Sequence, residues 1–285
     1  MTQAQASIWQ KLCEATSGAA DGPGHPSIRV LVLAAHPDDE TVAAAALLGR
    51  TNGGMVAFCT DGAPHDRSLW SPDAQGTREQ YAGMRRREAE AALQKVGIGA
   101  ESISFPGAVD QEAIFAIPEL TNYLSHLITT RQPDLVITHA YEGGHPDHDA
   151  ASLIAHLALG ALAPEHRPEL AEMPLYHARD GRCTVAEFLP SLQDGAPPPP
   201  ELILALSAQE LACKREMVRC HWSQRLVTAG FPLERERFRV APVYDYGKPP
   251  HAGKLWYECM GWAMTGERWR EIAASAIQQA RSVCR

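Results

Sequence analysis

Short apolar runs alternate with longer amphipathic stretches along most of the chain, and this alternation predicts an α/β fold. The first run, Ile28-Arg-Val-Leu-Val-Leu-Ala-Ala35, is almost continuously apolar, as in a parallel strand buried on both faces. Further strands are predicted at residues 55–60, 102–105, 134–139 and 201–207, and helices at 41–50, 79–96, 117–131, 150–161 and 208–228. This βαβα order indicates a layered domain with a mostly parallel sheet.

The two ends of the chain depart from this rhythm. Residues 1–27 have the character of an N-terminal extension, because a short amphipathic stretch is followed by a linker rich in Gly and Pro. Beyond Arg239 the pattern weakens, and Tyr and Trp residues crowd the tail. We therefore predict an extension at 1–27 and one domain at 28–285 whose C-terminal part is rich in aromatic residues.

Composition narrows the class of protein further. With 26 Lys and Arg against 34 Asp and Glu, the net charge is −8, which argues against a nucleic-acid partner. The 7 cysteines show no C-x-x-C spacing, so a zinc ribbon or dithiol redox motif is excluded and a reduced compartment is the simplest interpretation. No apolar run reaches the length of a membrane span, and the start lacks the features of a signal peptide. We expect a cytoplasmic protein without stable membrane insertion.

Two clusters of His and Asp follow predicted strands, at His36-Pro-Asp-Asp39 and His145-Pro-Asp-His148. Loops at the carboxyl ends of strands line the ligand crevice of an open α/β sheet, so the clusters are expected to face each other. Imidazoles and carboxylates are usual ligands of a borderline divalent metal. His36, Asp39 and one histidine of the second cluster would supply three ligands, leaving Asp38 as a general base. The second histidine would stabilise an oxyanion or protonate a leaving amine.

Other classes of protein compete with this interpretation. Each cluster alone has an ordinary structural explanation, because Pro and acidic residues also begin helices. A phospho-receiver or flavodoxin-like domain would explain the paired Asp but gives no role to His145 and His148. A nucleotide-binding Rossmann domain would need a G-x-G-x-x-G after the first strand, which is absent. A non-catalytic binding protein on the same fold stays open, although every metal and base position is filled.

The clusters also carry a resemblance to a known family. Ala35-His-Pro-Asp-Asp-Glu40 resembles the first motif of the LmbE-like, or PIG-L-type, N-acetylglucosaminyl de-N-acetylases, and Thr138-His139 followed by His145-x-Asp147-His148 resembles the second. Weaker matches follow the family's order at Arg85-x-x-Glu88, Phe105 to Asp110 and Lys214 to Gln224. The resemblance spans roughly residues 28 to 225. It implies a Rossmann-like three-layer fold and a hydrolase that removes acetyl from an N-acetylated amino sugar or its conjugate.

The resemblance also implies roles for particular residues. His36, Asp39 and His148 would bind Zn²⁺, or another divalent metal such as Fe²⁺. Asp38 would be the general base as a metal-bound water attacks the acetamide, and His145 would act as oxyanion stabiliser or general acid.

Substrate contacts and partners are implied more loosely. Asp147 would orient His145, while Arg85 and Asp110 would hold the sugar or its head group. Members of the family often have Pro and Asp where Tyr141 and Gly143 stand here, so this loop's shape departs from the usual pattern. The expected partner is a small amino-sugar conjugate, and a homo-oligomer is possible by analogy with the family. A metal-dependent amidase acting on another small amide is the alternative.

Overall fold

A seven-stranded sheet lies at the centre of the part of the chain that the structure, a computed structural model, describes: residues 9, 10, 13, 28–51 and 54–283. Most of the predicted extension at 1–27 lies outside these residues. The strands are β1 (Val30–Ala34), β2 (Met55–Phe58), β3 (Ile103–Ser104), β4 (Leu135–His139), β5 (Glu169–Met173), β8 (Glu201–Ala205) and β9 (Arg235–Val240). A separate pair is formed by β6 (Tyr176–His177) and β7 (Thr184–Val185).

The order of the strands in the sheet is β3-β2-β1-β4-β5-β9-β8. The first five are parallel, whereas β9 and β8 run antiparallel at one edge. The predicted mostly parallel sheet is therefore confirmed. Because β1 lies between β2 and β4, the order of the strands reverses there, and the loops that follow β1 and β4 open at the same edge.

Helices cover both faces of the sheet. They are α1 (Asp39–Arg50), α2 (Arg78–Gln94), α3 (Ile117–Arg131), α4 (Pro146–Ala161), α5 (Ala208–Cys220), α6 (Arg225–Thr228), α7 (Trp256–Cys259) and α8 (Gly266–Val283). Val30, Val32 and Ala34 of β1 pack with α1, α2 and α5. Leu31 and Leu33, which point to the opposite face, pack with α3, α4 and α8. The predicted Rossmann-like three-layer architecture is confirmed.

Two strands of the seven-stranded sheet, β5 and β9, are not predicted from the sequence because they contain buried charges. In β5, Glu172 accepts hydrogen bonds from Arg239 Nε at 2.6 Å and from the Tyr244 hydroxyl at 2.8 Å. In β9, Glu236 accepts a hydrogen bond from Lys214 Nζ at 2.8 Å. Each buried charge is compensated by a partner that is distant in sequence. These strands can therefore contain charged residues, and they lack the apolar pattern that identifies β1.

The predicted helix at 208–228 is wrong as a single element. It ends at Cys220 and continues, after a 3-10 turn, as the short α6. His221 at the break is fully buried, with Nε2 3.0 Å from Thr41 Oγ1, and Ser223 donates to Glu88. These tertiary contacts turn both side chains inward, which a continuous helix would not allow.

Among the residues that the structure describes, no helix combines the length and apolar composition needed to cross a bilayer.

Candidate metal and active site

The two His/Asp clusters meet at the carboxyl ends of β1 and β4, as the sequence predicts. The first cluster links β1 to α1, and the second ends the loop from β4 and begins α4. The ring centroids of His36 and His145 are 4.4 Å apart, and those of His36 and His148 are 5.2 Å apart. All of these side chains are buried. The fold therefore brings together groups that are more than a hundred residues apart in sequence.

Asp39 lies close to both of the other predicted metal ligands. Asp39 Oδ2 is 3.4 Å from His36 Nδ1, and Asp39 Oδ1 is 3.4 Å from His148 Nε2. Two donors that each lie about 2.1 Å from a tetrahedral ion are about 3.4 Å apart. His36 and His148 also belong, with His145, to a group whose donor atoms all lie within 4.8 Å of one another. The three residues are therefore suited to binding a metal.

His139 lies in the same cluster, but its Nε2 is not free to bind a metal. Its Nε2 is 3.4 Å from Asp39 Oδ2 and forms a metal-compatible group with Asp39 and His148. However, the backbone amide of Ala35 donates a hydrogen bond to this Nε2 at 2.9 Å. A nitrogen whose lone pair accepts a hydrogen bond cannot also donate that lone pair to a metal. His139 therefore positions the end of β1.

The charge of the site also fits a cation. Four buried carboxylates converge here, those of Asp38, Asp39, Asp110 and Asp147. Among the described residues that line the cavity, Arg85 supplies a fixed positive charge. Burial by itself would lower the pKa of His36, but Asp110, Asp147 and Asp39 outweigh it and hold that pKa well above its usual range. Burial lowers the pKa of His148 to about 3, so its imidazole is neutral and able to bind a metal.

Asp38 is held in place by Arg85. Arg85 Nη2 donates to Asp38 Oδ1 at 3.1 Å and to the Pro37 carbonyl at 3.1 Å, while Nη1 donates to the Gly62 carbonyl at 2.8 Å. Burial raises the pKa of Asp38 to about 7, even though Arg85 lowers it. The sequence resemblance assigns Arg85 to the substrate. The structure adds a second set of contacts, through which Arg85 fixes the orientation of Asp38.

This arrangement depends on a glycine. Gly62 has φ +66°, and a Cβ at this position would lie 2.9 Å from Arg85 Cζ and 2.8 Å from Pro37 Cδ. We expect Gly62→Ala to displace the guanidinium and to reduce the rate of the hydrolysis that the resemblance implies about tenfold, at a stability cost of about 1–2 kcal/mol.

A matched control separates the effect of the contact with Arg85 from the effect of backbone strain. Gly181 has φ +72°, but a Cβ there would meet no atom within 4 Å. Gly181→Ala should share the loss of stability, measured by chemical denaturation, while keeping its turnover. Equal turnover in the two variants would contradict the role given to Arg85.

Hydrogen bonds indicate which nitrogen of His145 carries its proton. The backbone amide of Asp147 donates to His145 Nδ1 at 3.1 Å, so the neutral ring has its proton on Nε2. Burial and the neighbouring His36 hold the pKa of His145 well below its usual value, which keeps the ring neutral. The Asp147 carboxylate lies 3.9 Å from His145 Nδ1. It accepts hydrogen bonds from the amides of Gln111 and Ala113 and lies 3.1 Å from His36 Nε2.

A cavity of about 240 Å³ opens above these groups. Its lining includes all of the predicted catalytic, metal and substrate residues except Asp147, which lies behind His36. Tyr176 and Trp262 form aromatic walls, with ring centroids 5.2 Å from His148 and 4.8 Å from His145, respectively. Gln111, Gln224 and Phe231 also line the cavity and were not identified from the sequence. Trp262 belongs to the C-terminal part, where the crowding of Tyr and Trp residues in the sequence does point to it.

Glycines in the loop from β4 to α4 allow Tyr176, one of these aromatic walls, to approach the loop closely. A Cβ on Gly144 would lie 1.9 Å from the carbonyl oxygen of Tyr176, so no larger residue fits there. The Gly143 carbonyl accepts a hydrogen bond from the Trp256 amide at 2.8 Å. A Cβ on Gly143, where the family often has Asp, would lie 2.6 Å from Leu255 Cδ2, so this departure matches the close approach of the C-terminal part.

The fold and the site together define an α/β domain with a His/Asp cluster, able to hold a metal, at the carboxyl ends of its parallel strands. Residues 31–159, which include both clusters, match the model of the PIG-L family, described as GlcNAc-PI de-N-acetylase. This match to a PIG-L (LmbE-like) family domain confirms the resemblance seen in the motifs.

Two curated relatives support the family. A 1D-myo-inositol 2-acetamido-2-deoxy-alpha-D-glucopyranoside deacetylase from Geodermatophilus obscurus is 30% identical over 169 residues, covering 51% of this chain and 58% of that protein. A mycothiol S-conjugate amidase from Streptomyces coelicolor is 29% identical over 164 residues, covering 50% of this chain and 55% of that protein. The chain thus spans little more than half the length of these relatives.

A solved structure supports the fold. The N,N'-diacetylchitobiose deacetylase from Pyrococcus horikoshii has a TM-score of 0.53 to this chain at 18% sequence identity. The superposition covers 85% of this chain and 94% of that chain. At this identity the likeness concerns the fold alone, and it agrees with the predicted LmbE-like architecture.

Proposed function

We propose that this protein is a metal-dependent N-deacetylase that acts on an N-acetylated amino sugar or its small conjugate. The observation that carries the proposal is the convergence of Asp38, His145 and the three proposed ligands, His36, Asp39 and His148, on one cavity. The PIG-L family domain contains all of these residues. Two curated relatives bear the names of a sugar deacetylase and an amidase.

His36, Asp39 and His148 would hold the metal, and their imidazole and carboxylate donors favour Zn²⁺, with Fe²⁺ as a second option. When bound, the metal supplies Lewis acidity that lowers the pKa of water toward about 7. His139 stays outside the ligand set because its Nε2 accepts the Ala35 amide.

Asp38 is the general base in this proposal. Its carboxylate lies in the cavity beside the metal ligand Asp39 and would take a proton from the water that attacks the acetamide carbonyl. Arg85 keeps that carboxylate in one orientation through its bond to Oδ1. A base held in a single geometry loses little entropy on reaching the transition state.

His145 stabilises the negative charge that develops on the carbonyl oxygen. Because Nδ1 accepts the Asp147 amide, the Nε2–H of the neutral ring is available to donate a hydrogen bond. The lowered pKa of His145 fits this role better than the role of a general acid, because a general acid would need a protonated ring. Asp147 orients His145 through its backbone amide.

Polar groups around the base of the cavity would bind the sugar. Asp110, Gln111 and Gln224 line the cavity and offer carboxylate and amide partners for hydroxyl groups. We propose a small conjugate as substrate, a cytoplasmic location and no nucleic-acid partner, in keeping with the acidic composition.

Metal removal tests the proposal directly. The protein, incubated with a panel of N-acetylglucosamine conjugates, should release acetate and a free amine. Dialysis against a chelator should lower the rate at least 100-fold, and stoichiometric Zn²⁺ should restore it.

The control is a parallel sample dialysed without chelator. Release of acetate at the full rate by protein shown to be metal-free would contradict the metal role. Absence of any product from the metal-loaded protein over the whole panel would favour a binding protein on this fold.

A further inference from the structure

The cavity changes character between its base and its mouth. At the base, His36 and Asp38 are only 7% and 6% exposed. At the mouth, Leu69 is 37% exposed and Val227 is 54% exposed, and both line the same cavity. Exposed apolar side chains of this size are ordinary when scattered, but here they adjoin a candidate catalytic site. We refer to Leu69, Val227 and Phe231 as the apolar rim.

An apolar path joins the apolar rim to the candidate metal ligands. The Tyr176 ring packs edge-on against His148, with centroids 5.2 Å apart. Phe231 packs edge-on against Tyr176 at 6.3 Å. The next lining residues back along this chain segment are Thr228, whose hydroxyl donates to the Gln224 carbonyl at 3.0 Å, and then Val227. A substrate group that extends from the bottom of the cavity along this wall therefore contacts aromatic and aliphatic side chains.

The apolar rim is anchored before any ligand binds. Leu69 lies in the loop after β2, and Val227 lies in α6, two segments that contact each other. Gln224 Nε2 donates to the Tyr81 hydroxyl at 2.9 Å, and that hydroxyl accepts the Ser71 amide at 3.1 Å. Arg225 Nη1 donates to Ser71 Oγ at 3.3 Å. A preformed surface binds an apolar group without first having to order the side chains around it.

We propose that the apolar rim is a subsite for an apolar aglycone on the amino sugar. This inference rests on the proposed deacetylase function and adds the class of conjugate. The amide carbonyl must reach Asp38 and His145 at the base, where the surrounding groups are polar. The acetyl group therefore lies at the bottom of the cavity, and the sugar lies among the polar side chains there. The atoms of the aglycone then extend to the apolar rim.

The test compares two substrates that differ in the aglycone. Methyl and n-hexyl glycosides of N-acetylglucosamine, of the same anomer and below micellar concentrations, are assayed for acetate release by the metal-loaded enzyme. Burial of the hexyl chain on the apolar rim should raise kcat/KM about tenfold over the methyl glycoside. Leu69→Ser with Val227→Ser should reduce that ratio to about two.

Leu226→Ser is the matched control. Leu226 is the neighbour of Val227 in α6 and is 67% exposed, but it does not line the cavity. This variant should keep both rates and the tenfold ratio. Collapse of the ratio in Leu226→Ser as well would show a general surface effect and overturn the subsite.

The outcomes separate this inference from the function on which it rests. Equal kcat/KM values for the methyl and hexyl glycosides in the wild type would overturn the subsite and leave the deacetylase function standing. A preference for an N-hexanoyl over an N-acetyl methyl glycoside would assign the apolar rim to the acyl chain and overturn the aglycone assignment. Failure to release acetate from either glycoside would contradict the proposed function, and the subsite with it.

Discussion

Asp38→Asn is expected to fold and bind metal like the wild type but to release acetate about 10³-fold more slowly. The amide has almost the same shape as the carboxylate, and its oxygen can still accept the hydrogen bond from Arg85 Nη2. It cannot take up a proton at neutral pH, so general-base catalysis is lost, which is worth about 10²–10⁴-fold. The measurement is kcat for acetate release, with metal content and circular dichroism recorded on the same samples.

Asp61→Asn serves as the comparison for this variant. Asp61 follows β2 at the same edge of the sheet, but its carboxylate pairs with Arg78 at 2.5 Å and does not line the cavity. Its rate should stay within a few-fold of the wild type. Turnover near the wild-type value in Asp38→Asn would refute the base assignment even if the metal role were established.

The second large effect concerns the metal. His36→Ala is expected to retain less than about a tenth of the stoichiometric metal of the wild type, and to lose activity with it. Loss of a group that merely hydrogen-bonds a metal ligand costs about 10–100-fold in metal affinity, and removal of a ligand costs more. Elemental analysis of purified protein measures the metal directly and does not depend on knowing the substrate.

Two controls accompany His36→Ala. His36 Nε2 also lies 3.1 Å from Asp147 and 3.3 Å from Asp110, so an unfolding curve must show that the fold survives. His65→Ala removes an exposed histidine near the cavity and should keep its metal. Unchanged stoichiometric metal in folded His36→Ala would refute the ligand assignment.

Predictions from the sequence succeed where the determining interactions are local. The run from Ile28 to Ala35 is apolar at every position except Arg29, and β1 forms within it. The helix predicted at 117–131 is α3, with the same bounds. Both signals, a continuous apolar run and a helical periodicity, lie within one element, and neighbouring segments do not alter them. The meeting of the two clusters follows in turn from the strand order around β1.

Predictions fail where a residue's environment depends on a distant partner. Glu172 and Glu236 are buried in strands that have no continuous apolar pattern, because Arg239 and Lys214 compensate their charges. The helix break at His221 has the same kind of cause, since Thr41 lies against the inward-turned imidazole. Neither a partner distant in sequence nor the burial that it permits leaves a signal in the local pattern.

The amino-acid pattern alone is enough to predict the α/β class, the resemblance to the PIG-L family and the residues from which a metal site can be built. The arrangement of those residues becomes visible only in the folded chain. It distinguished His148 from His139, because the Ala35 amide occupies the lone pair of His139 Nε2. It turned Arg85 toward Asp38 and placed the apolar rim beside the cavity. Hydrogen bonds and close packing act over a few ångströms between residues far apart in the chain, so their pattern exists only after folding.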